Sequence, residues 1–414
     1  MISFKQFILE AAQNTHMTHV EDLVILNGMT GAQSAIQYLE NVFELLKGNS
    51  KVKLSLTVKW DGAPAIFAGI DPTDKHFFVA KKSLFNANPI LYKSASDIIS
   101  DENLSSDLAH KMSIAFTQFS SLGIKNIIQG DIMFTYDTVH PKSINGENYI
   151  TFHPNAIVYA VPADTELAHQ ISTAQIGVVW HTTYSGSKLD SLQASFGIPI
   201  ASRLRHNPKV WMQDATYKDY SGMVTFTAAE TSKIQELLNN AKALYHSIDS
   251  ELFGMISTDK NIQTLMLTFG NAVIKTGEHI PNPANYIDAM MKWIQERYQQ
   301  TIDTKKKEVT KQRISQEASE VLAIFGPNSK YRKDLIDLYT LINALIDLKT
   351  ILIGKLAFNE NMRMFVQTTD GFQLTNPEGV VAIDHLSGNA VKLVNRLVFS
   401  KNNFDPNVVK GWSH

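Results

Sequence analysis

Over the first dozen residues, MISFKQFILEAA, the positions Phe4, Phe7 and Ile8 fall on one side of a short amphipathic helix. From Gly31 to Gly48, Ile36, Leu39, Phe43 and Leu46 repeat at helical spacing, and the closing glycine is a natural helix stop. At Lys51 the period drops to two. KVKLSLTVKW, APAIFAGI and HFFVAKK read as three short strands, separated by the turn signals Asp61-Gly62 and Asp71-Pro72. The pattern then predicts a helix at about Ser105 to Leu122. Strands are predicted near Asn126 to Thr135, Tyr149 to Phe152, Ala156 to Val161 and Ile176 to Tyr184.

Between about Ala228 and Phe358 the strand patterns give way to four long helical patterns, with breaks near Gly254, Gly277 to Pro283 and Gly326-Pro327. Alternation returns in MRMFVQT, GVVAID and NAVKLVNRLVF, which read as strands. The simplest account is an α+β body, residues 13–227 and 359–414, interrupted by an all-helical insertion, 228–358.

Composition narrows the class. With 44% hydrophobic and 19% charged residues among 414, wholesale disorder is excluded. No run of about 18 uncharged apolar residues occurs. The greasiest stretch, Leu341 to Phe358, carries Asp347, Lys349 and Lys355 and reads as a buried amphipathic helix, so no membrane partner is expected. The N-terminus lacks the long apolar core of a secretory signal. Zero cysteines exclude disulfides, thiolate metal sites and a cysteine nucleophile. A net charge of -2 excludes a blanket polycation, so any grip on nucleic acid is local. The best basic stretch runs from Arg297 to Arg313, for which phosphate contact and a plain solvated helix face both stay open.

Candidate chemistry begins at Lys59-Trp60-Asp61-Gly62. A lysine at a strand end beside an Asp-Gly turn can present its amine to a ligand in a cleft, and partial burial near other cations turns that amine into a nucleophile. The alternative is an exposed strand lysine. Further along, Lys81 and Lys82 end a strand pattern and Gln129-Gly130-Asp131-Ile132 sets a carboxylate on an apolar strand. Glu378-Gly379-Val380-Val381 opens another strand with a carboxylate, and Lys392 sits on the next. Trp60 can stack on a base or pack in the core. His16 and His19, followed by Glu21 and Asp22, read as capping or surface residues rather than metal ligands. His153 and His181 read as hydrogen-bonded core or cleft histidines. Walker, dinucleotide-binding and Gly-x-Ser-x-Gly signatures are missing.

The order of these strings resembles the covalent nucleotidyltransferase superfamily of ATP-dependent DNA ligases, RNA ligases and capping enzymes. The match runs through motif I (Lys59, Asp61, Gly62), motif III (Asp131), motif IIIa (Ile157 to Ala160, with Tyr159), motif IV (Glu378, Gly379) and motif V (Lys392). Lys81, Lys82 and Ser83 are similar to the Lys-Ser-Lys-Gly-Ser element of phage RNA ligases. The resemblance implies a ligase fold of antiparallel sheets flanked by helices. It implies an ATP-dependent polynucleotide ligase in which Lys59 forms a lysyl-AMP and Lys392 and Lys82 assist. Lys59, Asp61, Gly62, Lys81, Tyr159, Glu378 and Gly379 would contact the nucleotide, while Asp131 and Glu378 would hold Mg²⁺. The sequence departs from the family at two places: motif III usually carries glutamate where Asp131 stands, and motif V a second lysine where Val394 stands.

Cellular DNA ligases add an oligonucleotide-binding barrel after motif V, and only 22 residues follow Lys392 here, which favours RNA ends. A DNA ligase, or a non-catalytic nucleic-acid-binding phage head protein that keeps the fold, are the alternatives. Residues 1–12 are similar to the capsid-targeting peptide of T-even phage head proteins, with Ile8-Leu9-Glu10 at the cleavage site. That similarity implies contact of residues 1–10 with prohead components, and a location in the host bacterial cytoplasm or the phage head. Longer stretches, TVKWDGAPAIFAGID and IGVVWHTTY, resemble proteins of large myovirus-type phages.

Overall fold

The computed structural model describes residues 17–49, 51–215, 224–277, 281–356, 362–376, 378–386 and 389–411. The targeting-peptide reading of 1–12, its site at Glu10 and His16 lie outside them. The fold is mixed α+β, with three sheets among the described residues.

The first sheet runs β1 (Thr18–His19), β15 (Ala390–Val394), β14 (Gly379–Asp384), β2 (Leu54–Lys59). Its alternation decides the architecture. Leu54, Leu56, Val380, Ala382, Val391 and Leu393 face a helical core, whereas Thr57, Lys59, Val381, Ile383 and Lys392 line a cleft on the other face. The second sheet runs β10 (Gln193–Phe196), β9 (Ile176–Ser185), β5 (Ile127–Thr135), β3 (Ala65–Ile70), β4 (Phe77–Ala80), with β11 (Val210–Asp214) parallel to β9. The third joins β13 (Gly371–Leu374), β12 (Arg363–Thr368), β8 (Ile157–Pro162), β7 (Glu147–Phe152) and β6 (Val139–Ile144).

Helices follow their local signals. The first, α1 (Leu23–Leu46), kinks at Gly28, whose φ is +56°; a Cβ there would lie 2.7 Å from the Phe253 carbonyl oxygen. Small α2 (Ala95–Ser100), α3 (Ser106–Phe119) and α4 (Glu166–Thr173) flank the second and third sheets. The region read as four helices holds six: α5 (Ala228–Ser247), α6 (Ser250–Thr258), α7 (Lys260–Lys275), α8 (Pro283–Asp303), α9 (Glu308–Phe325) and α10 (Arg332–Gly354). Thr227 and Glu230 form the capping box that starts α5, and Asn282 with Pro283 starts α8. NAVKLVNRLVF, expected as one strand, is strand only to Val394, and α11 (Arg396–Phe404) takes its second half. Among the described residues no helix is long and apolar enough to cross a membrane.

The helical region does not keep a core to itself. Side chains of α5–α10, of α1 and of the first sheet form one buried cluster, so packing crosses the boundary drawn at residue 228. A buried ionic clasp seals this joint. Lys349 of α10, 1% exposed, donates to Glu21 at 2.7 Å, and Arg396 reaches Asp22 at 2.8 Å. Removing one partner strands a buried charge, so Lys349→Met should cost about 3–5 kcal/mol, and Glu21→Gln combined with Lys349→Met should recover most of it. Chemical denaturation of the three proteins reads this directly; equal midpoints for the single and double variants would refute the clasp's role.

Candidate active site

Lys59 is the last residue of β2, and the chain passes from the first sheet to the second through Trp60, Asp61 and Gly62. That crossing makes a cleft between the two sheets, with a volume of about 520 Å³, inside the range of small-molecule sites. Gly62 permits the tight crossing: a Cβ there would lie 2.6 Å from the Asp131 Cβ. On the neighbouring strand Gly379 stands opposite Lys59, and a Cβ on it would lie 2.2 Å from the Leu393 carbonyl oxygen. The close strands bring Glu378 against the amine, and Lys59 Nζ donates to Glu378 Oε2.

Burial raises the Glu378 carboxyl to about 7, more than the adjacent Lys59 cation lowers it; the nearby Asp61 charge pushes the same way as burial. Lys392 lies on the cleft face of β15, one strand beyond β14, opposite Val381. Its burial, and then the charge of Lys59, lower its pKa. Lys82 lines the cleft from the 3-10 turn that follows β4, and Lys81 does not line it. Val394 is fully buried and does not line the cleft. Phe67, Phe196, Val381, Ile383 and Phe399 supply apolar walls. The Phe399 ring centroid is 5.4 Å from Lys59 Nζ.

Of two residues expected at the nucleotide, Asp61 lines the cleft but is also a structural tie, and Tyr159 lies behind it. Asp61, 3% exposed, accepts from Asn155 Nδ2 at 2.8 Å and from the backbone N–H groups of Ala156 and Ile157 at 2.8 and 3.0 Å. The carboxylate therefore ties the Lys59 turn to the third sheet. Tyr159 is fully buried and lines none of the cleft, so it cannot touch a ligand there. Its hydroxyl accepts the Asp61 N–H at 2.7 Å and its ring stacks under Trp60 at 5.3 Å. Trp60 is thus wedged between Tyr159 and Trp211, a core packing role, although one edge reaches the cleft. His19, read as a capping or surface residue, is half-buried in β1 beside Lys392, and its desolvation lowers its pKa to about 3.

The strand beside Asp131 is β9, with Asp131 opposite Val179; the strand read as motif IIIa, β8, belongs to the third sheet. The β5–β9 ladder slips between Gln129 and Gly130, which pair with Thr182 and Trp180, so His181 is the extra residue of a β-bulge. The bulge brings His181 to the cleft, 3.8 Å from Asp131. Alternating strand residues could not have shown this, because a bulge breaks the period that sequence reading relies on. Asn155 was missed for a similar reason: it acts from a loop.

Asp131 and Glu378 line the same cleft, yet among the described residues no three carboxylate or imidazole side chains gather into a complete metal site. Lys59 Nζ already engages Glu378, so Asp131 is the carboxylate here that could hold a divalent cation, with substrate oxygens as its remaining ligands, the usual manner of Mg²⁺ with phosphates.

A family model described as a family of unknown function (DUF6267) matches residues 14–408. No curated protein and no solved structure matches the chain.

Proposed function

We propose that the chain, which belongs to the DUF6267 family of unknown function, is an ATP-dependent nucleotidyltransferase of the polynucleotide-ligase type. The observation that carries the reading is the meeting of Lys59, Lys82, Lys392, Asp131 and Glu378 in one cleft from segments spread over 334 positions of the sequence. The ligase arrangement of antiparallel sheets belongs to the same proposal.

In this reading the Lys59 amine attacks the α-phosphorus of ATP. A nitrogen–phosphorus bond forms, the bond to the β-phosphate oxygen breaks, and pyrophosphate leaves. Lys82 and Lys392 face the charge that builds on the phosphate oxygens. Glu378, already in contact with Lys59 Nζ, takes the proton that the ammonium must lose. Mg²⁺ held at Asp131 would supply charge neutralisation of the phosphates, while Glu378 is kept for the proton. The adenylate then passes to a 5′-phosphate end, and a 3′-hydroxyl displaces AMP to seal the strand, RNA ends being the preferred class.

The test is to incubate the protein with α-labelled ATP and Mg²⁺, denature it, and measure retained label. Label on the wild type supports the reading; no label on folded wild type favours the rival, a nucleic-acid-binding protein without catalysis. Nicked duplexes and broken RNA stems then sort the substrate.

A pH dependence follows. The Glu378 carboxyl, raised to about 7, keeps its proton below that pH and cannot accept another. Labelling rates should rise with pH through about 7 and fall roughly tenfold per unit below it. A flat profile between pH 5.5 and 8 would remove Glu378 from the proton's path.

A further inference from the structure

The bulged His181 has no part in the scheme above. Its Nδ1 lies 2.7 Å from Thr182 Oγ1, and its Nε2 lies 3.8 Å from Asp131 Oδ2. Thr182 is 1% exposed, so the hydroxyl that meets the ring is held in the protein interior. A Nδ1–H donated to that hydroxyl leaves the Nε2 lone pair directed at the carboxylate. This is the arrangement in which ligating histidines are usually held, with the second nitrogen anchored by a hydrogen bond. For bonds of about 2.1 Å, adjacent donors on one cation lie about 3 Å apart, so the 3.8 Å gap between Nε2 and Oδ2 would close by about 0.8 Å around a bound cation. Gln129, the other polar side chain near the bulge, is engaged: its Oε1 accepts from the Tyr184 hydroxyl at 2.6 Å.

We propose that His181 is a direct ligand of the divalent cation at Asp131 and makes the site prefer Mn²⁺ to Mg²⁺. Imidazole nitrogen is a borderline ligand that transition-metal ions accept readily, whereas Mg²⁺ favours an all-oxygen shell. One carboxylate and one imidazole leave room for substrate phosphate oxygens, which matches a cleft lined also by Lys59, Lys82 and Lys392. The inference rests on the nucleotidyltransferase reading for those phosphates, but its readout does not.

The experiment uses the full chain with Mn²⁺ and inorganic tripolyphosphate, a probe that contains no nitrogen. Pulsed electron paramagnetic resonance should show ¹⁴N coupling of an imidazole to the bound Mn²⁺ in the wild type. His181→Asn should lose that coupling and weaken Mn²⁺ binding about 10–100-fold, while Mg²⁺ binding, measured by competition, changes less than about threefold. Mn²⁺ bound to the wild type without nitrogen coupling, or coupling that persists in His181→Asn, overturns the proposal. A Mn²⁺ affinity no better than that for Mg²⁺ overturns the stated preference. ATP labelling of Lys59 in the same preparation separates the two readings. Label without nitrogen coupling sinks the histidine ligand alone; coupling without label keeps it and sinks the ligase.

Discussion

Lys59→Ala protein given α-labelled ATP and Mg²⁺ should retain no label after denaturation, a loss of at least about 10³-fold, because the proposed scheme puts the phosphoramidate on the Lys59 amine and gives Lys82 and Lys392 to the phosphate oxygens. The fold should survive. The Lys59 side chain is 23% exposed, and the partner it leaves behind, Glu378, already has its carboxyl raised to about 7. Without the cation that lowers it, Glu378 takes a proton and avoids a buried unpaired charge. The thermal midpoint should therefore stay within about 2 °C of the wild type. Lys59→Arg sharpens the test, since guanidinium keeps the positive charge beside Glu378 and is no nucleophile at neutral pH. Label on either folded variant would mean that another residue carries the adenylate.

Asp61→Ala should act through stability. The carboxylate satisfies three N–H donors, two of them backbone groups of buried residues, and each donor left unpaired costs about 1–3 kcal/mol. The expected loss is at least about 3 kcal/mol, with a clear fall in denaturation midpoint. Asp61→Asn should recover only part of it, because an amide presents one acceptor oxygen where the carboxylate presents two. A side chain that gripped the nucleotide would behave differently, raising the KM for ATP at unchanged stability. Such a result would return Asp61 to ligand contact and remove its place as the tie between the Lys59 turn and the third sheet.

Several elements were legible because their cause is local. Alternation marked β2, β3 and β4, and the Asp-Gly turn marked where the chain leaves the first sheet. Helical spacing and caps marked the stretch from residue 228 to 354, although the break read near Gly254 falls inside α6, and α8 and α9 were read as one helix. The hairpin strand β6 escaped because Val139–Ile144 has mostly exposed or half-buried side chains and gives no apolar rhythm. The strand β15 was read too long, since Arg396–Phe404 continues an apolar pattern that suits either period.

For the candidate site, sequence order was enough to single out Lys59, Asp131, Glu378 and Lys392, because each ends or sits on a strand with a glycine or a cation nearby. Which of their neighbours face the cleft was another matter. Tyr159 and Asp61 have residue types suited to a ligand, and only packing shows that Tyr159 lies behind Trp60 and that Asp61, while lining the cleft, is hydrogen-bonded to loop 155–157.

The sequence by itself determined where many of the strands and helices lie and which ionisable groups stand at strand ends, because periodicity and turn chemistry act over a few residues. Only the tertiary structure decided that one sheet offers one face to the helices and its other, mixed face to a cleft, that Glu378 meets Lys59, and that a slip in one ladder brings His181 to Asp131. Those outcomes depend on register between strands far apart in the chain, and a shift of one residue would turn every side chain to the opposite face.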